Sequence, residues 1–337
     1  MPLSLSEFLR HAAASPALAG TALLLLAVIL VNGWTDAPNA IASAVVSGVL
    51  PFRRAAWLAA ACNLLGSLWA AAAGGAVLET VFTLADFGRS ASTALAALCA
   101  AMTAIVCWAV LAWRFGIPTS ESHALVAGLS GAAAALPGGL SNLRSGPWLR
   151  VTAGLVLSVA LGAALGRGAA RWMEPIKIPP ARLARGQILA AGAMAFLHGA
   201  QDGQKFMGVF LLGAALAQGR QDWDTFPLPL WLALLCGGVM ALGTALGGKR
   251  IVAALGRAAP LTPQTGLAAD LGGGLCLLLC TLLGLPVSTT HVKTAAILGA
   301  GRGGEPSPVL AMALAWLLTF PGCALLGFAA ARLFLAL

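Results

Sequence analysis

Long apolar stretches rich in Leu, Ala and Gly, separated by short polar loops, run along most of this chain. In lipid, only helices and closed barrels satisfy their own backbone hydrogen bonds. The stretches are longer than the roughly 10-residue alternating segments of a barrel, so they predict membrane-spanning helices. The predicted spans form two sets of five: 17–50, 55–78, 91–113, 118–136 and 147–166, then 186–217, 229–247, 266–283, 286–300 and 308–334.

Two polar motifs interrupt this apolar pattern, and each occurs once in each half of the chain. His123 and His291 end one motif and lie 168 residues apart, while Asp36 and Asp202 lie 166 apart in the other. A duplicated unit with polar residues inside apolar runs is typical of a transporter built from two repeats around a midplane site. The motifs are Gly116-Ile117-Pro118-Thr119-Ser120-Glu121-Ser122-His123 with Gly284-Leu285-Pro286-Val287-Ser288-Thr289-Thr290-His291, and Thr35-Asp36-Ala37-Pro38-Asn39 with Gln201-Asp202-Gly203-Gln204-Lys205.

The positions of prolines and hydroxyl residues predict broken helices. Spans 17–50 and 186–217 exceed the ~20 residues of one straight crossing, so each is expected to be broken or re-entrant near its Asp motif. Pro118 and Pro286 each precede a hydroxyl-rich segment, where a restarting helix presents unpaired N–H groups and its positive dipole end. Two such ends form a cradle for a tetrahedral oxyanion; N-capping alone needs only one hydroxyl per end. The predicted substrate-binding residues are Thr119, Ser120, Ser122, Ser288, Thr289, Thr290 and Lys205.

Composition strengthens the membrane assignment and excludes other classes. The chain is 59% hydrophobic and 9% charged, against about 25% charged residues in soluble domains. The net charge of +9 comes from short loops, which argues for membrane orientation and against nucleic acid as a partner. The seven cysteines fall within apolar spans and form no Cys-x-x-Cys pair, so they are interpreted as small core residues.

The loop charges predict that the two repeats are inverted. Segment 51–54 is basic, but the matching segment 218–224 is acidic; segment 79–89 is acidic, whereas its counterpart 249–257 is basic. Since positive residues mark cytoplasmic loops, equivalent loops lie on opposite sides of the membrane. The predicted organisation is an interfacial N-terminal segment 1–16, repeat one 17–166, a basic cytoplasmic linker 167–185 and repeat two 186–337.

Asp36, Asn39 and Asp202 are the predicted coupling-ion residues. A carboxylate beside an anion cradle repels the substrate unless it holds a cation or a proton, and oxygen ligands from Asp36 and Asn39 suit Na⁺. The histidines of the motifs either relay protons or donate hydrogen bonds that hold the hydroxyls in place, and the second interpretation is favoured. The predicted supporting residues are His123, His198, His291, Glu121 and Lys293.

These motifs resemble those of the inorganic phosphate transporter (PiT) family, whose signature doubles an Asn-Asp-x-Ala-Asn-Ala-like and a Pro-x-Ser-x-x-His-like motif. The resemblance covers nearly the whole chain. It implies secondary active phosphate transport with Na⁺ or H⁺, with the aspartates and hydroxyl segments in the roles just described. The departures are Thr35 and Gln201 at usual Asn positions, Pro38 within the first motif, Glu121 for a small hydroxyl residue and Lys205 opposite Asn39. They place the coupling-ion site in question more than the anion cradle.

Two alternatives stay open. One is transport of another tetrahedral oxyanion, above all sulfate, although proton acceptors such as Glu121 favour phosphate, which can donate protons. The remote alternative is a membrane-embedded metal enzyme, which the absence of a His-x-x-x-His pair argues against. The predicted location is the cell inner (plasma) membrane with multiple spans. The predicted partners are inorganic phosphate and lipid, with homodimerisation left open and no cofactor beyond the coupling ion.

Overall fold

The computed structural model describes residues 3–115, 119–221, 228–258, 260–301 and 306–336, and every regular element in those ranges is helical. The first half contains α1 Leu5–Ala14, α2 Pro16–Thr35, α3 Ala42–Val46, α4 Phe52–Ala73, α5 Ala76–Phe82, α6 Ala91–Arg114, α7 Glu121–Ala134 and α8 Ser145–Met173. The second half contains α9 Pro180–Leu216, α10 Leu230–Leu246, α11 Lys249–Ala258, α12 Pro263–Leu282, α13 Thr289–Ala300 and α14 Pro306–Phe334. The prediction of an all-helical, multi-span membrane protein is confirmed.

The number of long apolar helices differs from the ten predicted crossings. Within the described residues, six helices are long and apolar enough to span a membrane, or seven if α10 and α11, bent by 67°, count as one. Helices α7 and α13 have 14 and 12 residues, or about 21 and 18 Å at 1.5 Å per residue. Neither crosses a core of about 30 Å. Within the described residues, the predicted spans 118–136 and 286–300 each hold only a half-length helix, so the prediction that each is a full helical crossing is wrong.

The first long span is broken as predicted. Helix α2 ends at Thr35, a 3-10 turn covers Ala37–Ile41, and α3 follows. Pro38 lies at the second position of the turn, where a missing N–H is tolerated, whereas inside an α-helix it would remove a hydrogen bond and clash. The break thus interrupts the α-helical hydrogen bonding of the backbone next to Asp36.

The corresponding break in the second half is absent, which corrects the prediction for 186–217. Helix α9 runs without interruption for 37 residues through Asp202. Gln204 occupies the position of Pro38 and keeps its N–H, and Lys205 bonds Asp202 three residues back along the same helix. Continuous hydrogen bonding and this local ion pair let the helix pass through the motif, and its first turns extend the helix beyond the predicted span.

Close backbone contacts at glycines show that the two halves pack against each other with pseudo-twofold symmetry. A methyl group added at Gly33 in α2 would lie 2.1 Å from the Met240 carbonyl oxygen in α10. One added at Gly199 in α9, the equivalent of Gly33, would lie 2.1 Å from the Asn63 carbonyl oxygen in α4. Each half therefore packs its first long helix against the second long helix of the other half, which is the contact pattern that a twofold axis generates.

The half-length helices follow the same symmetric pattern, in which each packs against the last helix of the other half. Helix α7 packs against α14, and α13 packs against α8. A methyl group would lie 2.0 Å from the Ala324 carbonyl oxygen if added at Gly131, and 2.2 Å from the Ala163 carbonyl oxygen if added at Gly299. Because the backbones approach this closely only where Cβ is missing, the glycines fix where α7 and α13 lie.

The connection between the halves is shorter than the predicted linker 167–185. Helix α8 continues to Met173 and α9 begins at Pro180, so only six residues, 174–179, lie between them. Pro175 and Pro179 lie in this stretch, consistent with a proline-rich turn, but the residues on either side are helical. At the N-terminus, α1 packs Phe8 against Phe210, with ring centroids 4.7 Å apart.

Candidate functional site

The N-termini of α7 and α13 meet inside the protein. Ser120 caps α7 by accepting a hydrogen bond of 3.2 Å from the His123 backbone N–H, and Ser288 caps α13 by accepting one of 3.2 Å from the His291 N–H. Both serines are fully buried. The Pro286 interruption is confirmed, since residues 283–288 are not helical, whereas Pro118 lies outside the described residues. Two positive helix ends thus share one buried region.

The rings of His123 and His291 contact each other, with centroids 4.6 Å apart and ring planes inclined at 59°. The His123 ring also contacts Phe320, at 4.8 Å, and the His291 ring contacts Trp316, at 3.9 Å. Among the described residues, none hydrogen-bonds to a ring nitrogen of either histidine. Both histidines do donate hydrogen bonds to hydroxyls, but through their backbone N–H groups to Ser120 and Ser288, while their rings pack against aromatic side chains.

Asp36 is fully buried at the break after α2 and contacts the start of α13. Its Oδ1 accepts hydrogen bonds from Thr289 Oγ1 at 3.2 Å, from Asn39 Nδ2 at 3.0 Å and from Thr290 Oγ1 at short range. Its Oδ2 and the Asn39 Oδ1 have no hydrogen-bond partner among the described atoms. Two hydroxyls predicted to bind substrate are therefore bonded to the carboxylate predicted to bind the coupling ion. The other oxygen of that carboxylate and the amide oxygen of Asn39 have no partner among the described atoms.

Asp202 is also fully buried, but both of its oxygens are paired. Oδ1 accepts from Lys205 Nζ at 2.6 Å, and Oδ2 accepts from Asn32 Nδ2 at 2.8 Å. Lys205 Nζ further donates to Ser122 Oγ at 2.5 Å and to the Val287 carbonyl oxygen at 2.7 Å. The lysine ammonium thus uses all three donors to join α9 to both half-helices.

Asp36, His198 and Asp202 offer three ligand atoms that all lie within 4.8 Å of one another. His198 Nε2 lies 3.4 Å from Asp202 Oδ2, and its Nδ1 is 3.0 Å from Asn63 Oδ1, which fixes the ring. Carboxylate oxygens and an imidazole nitrogen at this separation can enclose one small cation. The aspartates of the two motifs, predicted to share one site, are brought together.

Glu121 stands in the first turn of α7, next to the cradle, and is 3% exposed. Its Oε1 accepts from Thr35 Oγ1 at 2.8 Å and from Thr119 Oγ1 at 3.4 Å. Thr35 belongs to the first Asp motif, so this bond ties α2 to α7. An acid in the first turn also complements the helix dipole.

Lys293 lies away from the cradle, contrary to its predicted supporting role there. Its Nζ donates to Ser43 Oγ at 2.9 Å, to the Ala40 carbonyl oxygen at 3.2 Å and, at short range, to Asp270 Oδ1. These contacts join α13 to α12 and to the broken segment after Asp36.

Sequence reasoning also missed three buried polar residues that contact predicted site residues: Asn32 bonds Asp202, Asn63 bonds His198 and Ser43 bonds Lys293. Asn32 and Asn63 each stand alone within an apolar run. Polar side chains at such positions are costly in lipid, and that cost was the available signal for them.

The comparisons with known proteins agree with this geometry. The model of the phosphate transporter family matches the chain twice, over residues 32–182 and 177–327. The chain belongs to this family. Because each match contains one copy of both motifs, the internal duplication is confirmed as well.

Curated relatives match over most of their length. The chain is 35% identical to a probable low-affinity inorganic phosphate transporter of Rhizobium meliloti, covering 93% of this chain and 95% of that one. A protein of the same description from Bacillus subtilis is 31% identical, covering 90% and 92%. A solved structure titled the sodium-dependent phosphate transporter has the same fold, with a TM-score of 0.83 at 21% identity over 96% of this chain. These likenesses exclude the remote alternative of a membrane-embedded metal enzyme.

Proposed function

We propose that this chain is a secondary active transporter that imports inorganic phosphate together with a coupling cation, Na⁺ or H⁺, across the inner membrane of a bacterial cell. The observation that carries the proposal is the meeting of two symmetry-related helix N-termini beside two buried carboxylates, Asp36 and Asp202, within a member of the phosphate transporter family. The names of the relatives and of the solved structure agree with phosphate as substrate.

The anion is proposed to bind between the starts of α7 and α13. The first N–H groups of a helix have no intrahelical acceptor, and two opposed ends supply such donors from both sides of a tetrahedral ligand. Ser120 and Ser288 hold these ends in their capped geometry. Ser122 lies 2.5 Å from Lys205 Nζ, so a positive charge stands at the edge of the cradle.

The hydrogen bonds from Thr289 and Thr290 to Asp36 directly link the proposed cation site to the proposed phosphate site. When a cation or proton binds the unpartnered Oδ2 of Asp36, it neutralises the carboxylate that would otherwise repel phosphate. The same event weakens Asp36 as a hydrogen-bond acceptor and frees the two hydroxyls to donate to phosphate. Cation binding thus prepares the anion site, which is the differential interaction that coupling requires.

Glu121 supports phosphate over sulfate as the substrate. It lies in the first turn of α7, with Oε1 bonded only to Thr35 and Thr119 hydroxyls among the described residues. Hydrogen phosphate can donate a hydrogen bond to the carboxyl oxygens of Glu121, whereas sulfate has no proton to give.

The test is radiolabelled phosphate uptake into proteoliposomes, with a Na⁺ gradient and a pH gradient imposed separately. Concentrative uptake driven by one of them is expected, with unlabelled phosphate competing and equimolar sulfate competing at least about tenfold more weakly. Glu121→Gln serves as the selectivity variant, because the amide adds N–H donors that sulfate can accept, and it should bring the affinities for the two anions closer together. Equal flux with and without either gradient would refute secondary active transport, and preferential sulfate uptake would replace the substrate.

A further inference from the structure

A further buried ion pair, between Lys293 and Asp270, lies outside the anion cradle. Lys293 and Asp270 are 0% and 1% exposed. Burying two charges is expensive, and an apolar pair of similar volume is often as stable. The presence of this ion pair in a fully buried position therefore needs a reason other than helix packing.

The ligands of the two buried lysines have the same composition. Lys205 Nζ is held by a carboxylate oxygen of Asp202, a hydroxyl of Ser122 and the backbone carbonyl of Val287. Lys293 Nζ is likewise held by one carboxylate oxygen, one hydroxyl and one backbone carbonyl, those of Asp270, Ser43 and Ala40. The two lysines are not equivalent in the repeats, so the duplication does not explain this agreement.

Both carbonyls belong to interruptions in helical structure. Val287 lies in the extended stretch before α13, and Ala40 lies in the 3-10 turn between α2 and α3. Unwound backbone carbonyls in broken membrane helices, together with carboxylates and hydroxyls, are the groups that coordinate Na⁺ in transporters. Each lysine thus places an ammonium where such groups converge.

Asp270 retains binding capacity beyond the lysine. Its Oδ2 is buried and has no hydrogen-bond partner among the described atoms, while Ser43 Oγ donates to Oδ1 at 2.6 Å. Without the ammonium, Asp270, Ser43 and Ala40 would present a buried all-oxygen site with one net negative charge, which matches the needs of a hard monovalent cation.

We propose that the Lys293 ammonium is a tethered cation filling a monovalent-cation site formed by Asp270, Ser43 and the Ala40 carbonyl, and that removing it opens this site to Na⁺. Together with Lys205, it gives the chain two fixed positive charges where mobile ions would otherwise bind. The existence of this cation site does not depend on the proposed function. Its consequence for transport does: with both lysines in place, the exchangeable coupling ion would bind near Asp36.

The test compares purified Lys293→Ala with the matched control Lys293→Ala/Asp270→Asn, which also lacks the carboxylate. Melting temperature is measured while Na⁺ replaces N-methylglucamine at constant ionic strength. Because a ligand that binds only the folded state stabilises it, Na⁺ should raise the melting temperature of the alanine variant by about 3 °C or more, saturably. The double variant and the unsubstituted chain both keep Asp36, so each reports the melting-temperature shift that Na⁺ causes at Asp36 alone. Neither should show a larger shift than that.

Three results would overturn the inference. One is a folded alanine variant whose response to Na⁺ equals that of the double variant. Another is a melting temperature of the alanine variant that is the same in Na⁺ as in N-methylglucamine. The third is an alanine variant that is recovered in neither salt although the double variant folds, since Na⁺ then cannot replace the ammonium. No arm measures phosphate transport, so these results are independent of the uptake experiment.

Discussion

The stretches that follow Asp36 and Asp202 occupy equivalent positions in the two halves, yet the first is broken and the second is a continuous helix. Asp36 keeps one oxygen without a partner, whereas both oxygens of Asp202 are paired, one of them with Lys205. One half of the duplicated site is thus open to a mobile charge and the other carries a fixed one. The two copies of a repeat can therefore differ both in helix geometry and in charge while they contribute to one site.

The largest expected effect comes from removing the open carboxylate. Asparagine at position 36 keeps an oxygen that can accept from Thr290, but it carries neither a charge nor a transferable proton. Asp36→Asn is therefore expected to abolish gradient-driven phosphate accumulation while phosphate binding stays within about tenfold of the original, a loss of one charged hydrogen-bond acceptor. Uptake and equilibrium binding in the same proteoliposomes measure both.

Asp86→Asn is the matched control, because Asp86 is an exposed acid in the loop before α6. It should leave both quantities unchanged. Accumulation of phosphate against a gradient by the Asp36→Asn variant would show that the exchangeable site lies elsewhere.

The next effect tests the fixed half. Lys205→Ala leaves Asp202 as a buried, uncompensated carboxylate, a change that costs about 3–5 kcal/mol when one partner of a buried pair is removed. Asp202 is then expected to take up Na⁺ or a proton, so that stability and uptake acquire a second cation dependence in addition to that of the unsubstituted chain. Melting temperature and initial uptake rate, each measured against Na⁺ and against pH, detect it.

The double variant Lys205→Ala/Asp202→Asn separates charge from packing. It removes the same ammonium but leaves no uncompensated carboxylate, so the new cation dependence should disappear. If both variants respond to Na⁺ and pH alike, Lys205 has a packing role and the contrast between the two halves loses its electrostatic basis.

A smaller effect is expected at the two helix ends, which the halves share equally. Ser120→Ala with Ser288→Ala removes both N-caps, at about 1 kcal/mol of helix-end stability each, and loosens the N–H groups proposed to bind phosphate. Phosphate affinity should fall by about tenfold, more than the product of the single changes, because both ends hold one ligand. Threonine at both positions keeps the caps and should restore affinity. Unchanged affinity in the alanine pair would mean that the two caps do not contribute to phosphate binding.

The sequence predicts the duplication, the helical class and the break at Asp36, because proline, hydroxyl and carboxylate positions carry those signals directly. It mispredicts α9 because span length alone was taken to require a break, although Gln204 at the position of Pro38 permits an unbroken helix. The contacts of Lys293 with Ser43 and of Asp36 with Thr290 could not be predicted, since each joins residues about 250 positions apart. Such pairings follow from how the halves dock, which periodicity does not encode.

The last prediction has the smallest effect on transport and tests the inversion on which the whole comparison depends. Asp86 follows α5, and Arg257 lies in α11, the counterpart of α5 in the second half; both residues are exposed. Cysteine at either position should leave uptake within about twofold, as surface substitutions away from buried features change stability little. Impermeant thiol reagents should label Asp86→Cys only from outside and Arg257→Cys only from the cytoplasm. The unsubstituted chain supplies the background from native cysteines such as Cys107, which is exposed. Labelling of both positions from one side would mean that the repeats are parallel, and a twofold axis in the membrane plane could then not relate Asp36 to Asp202.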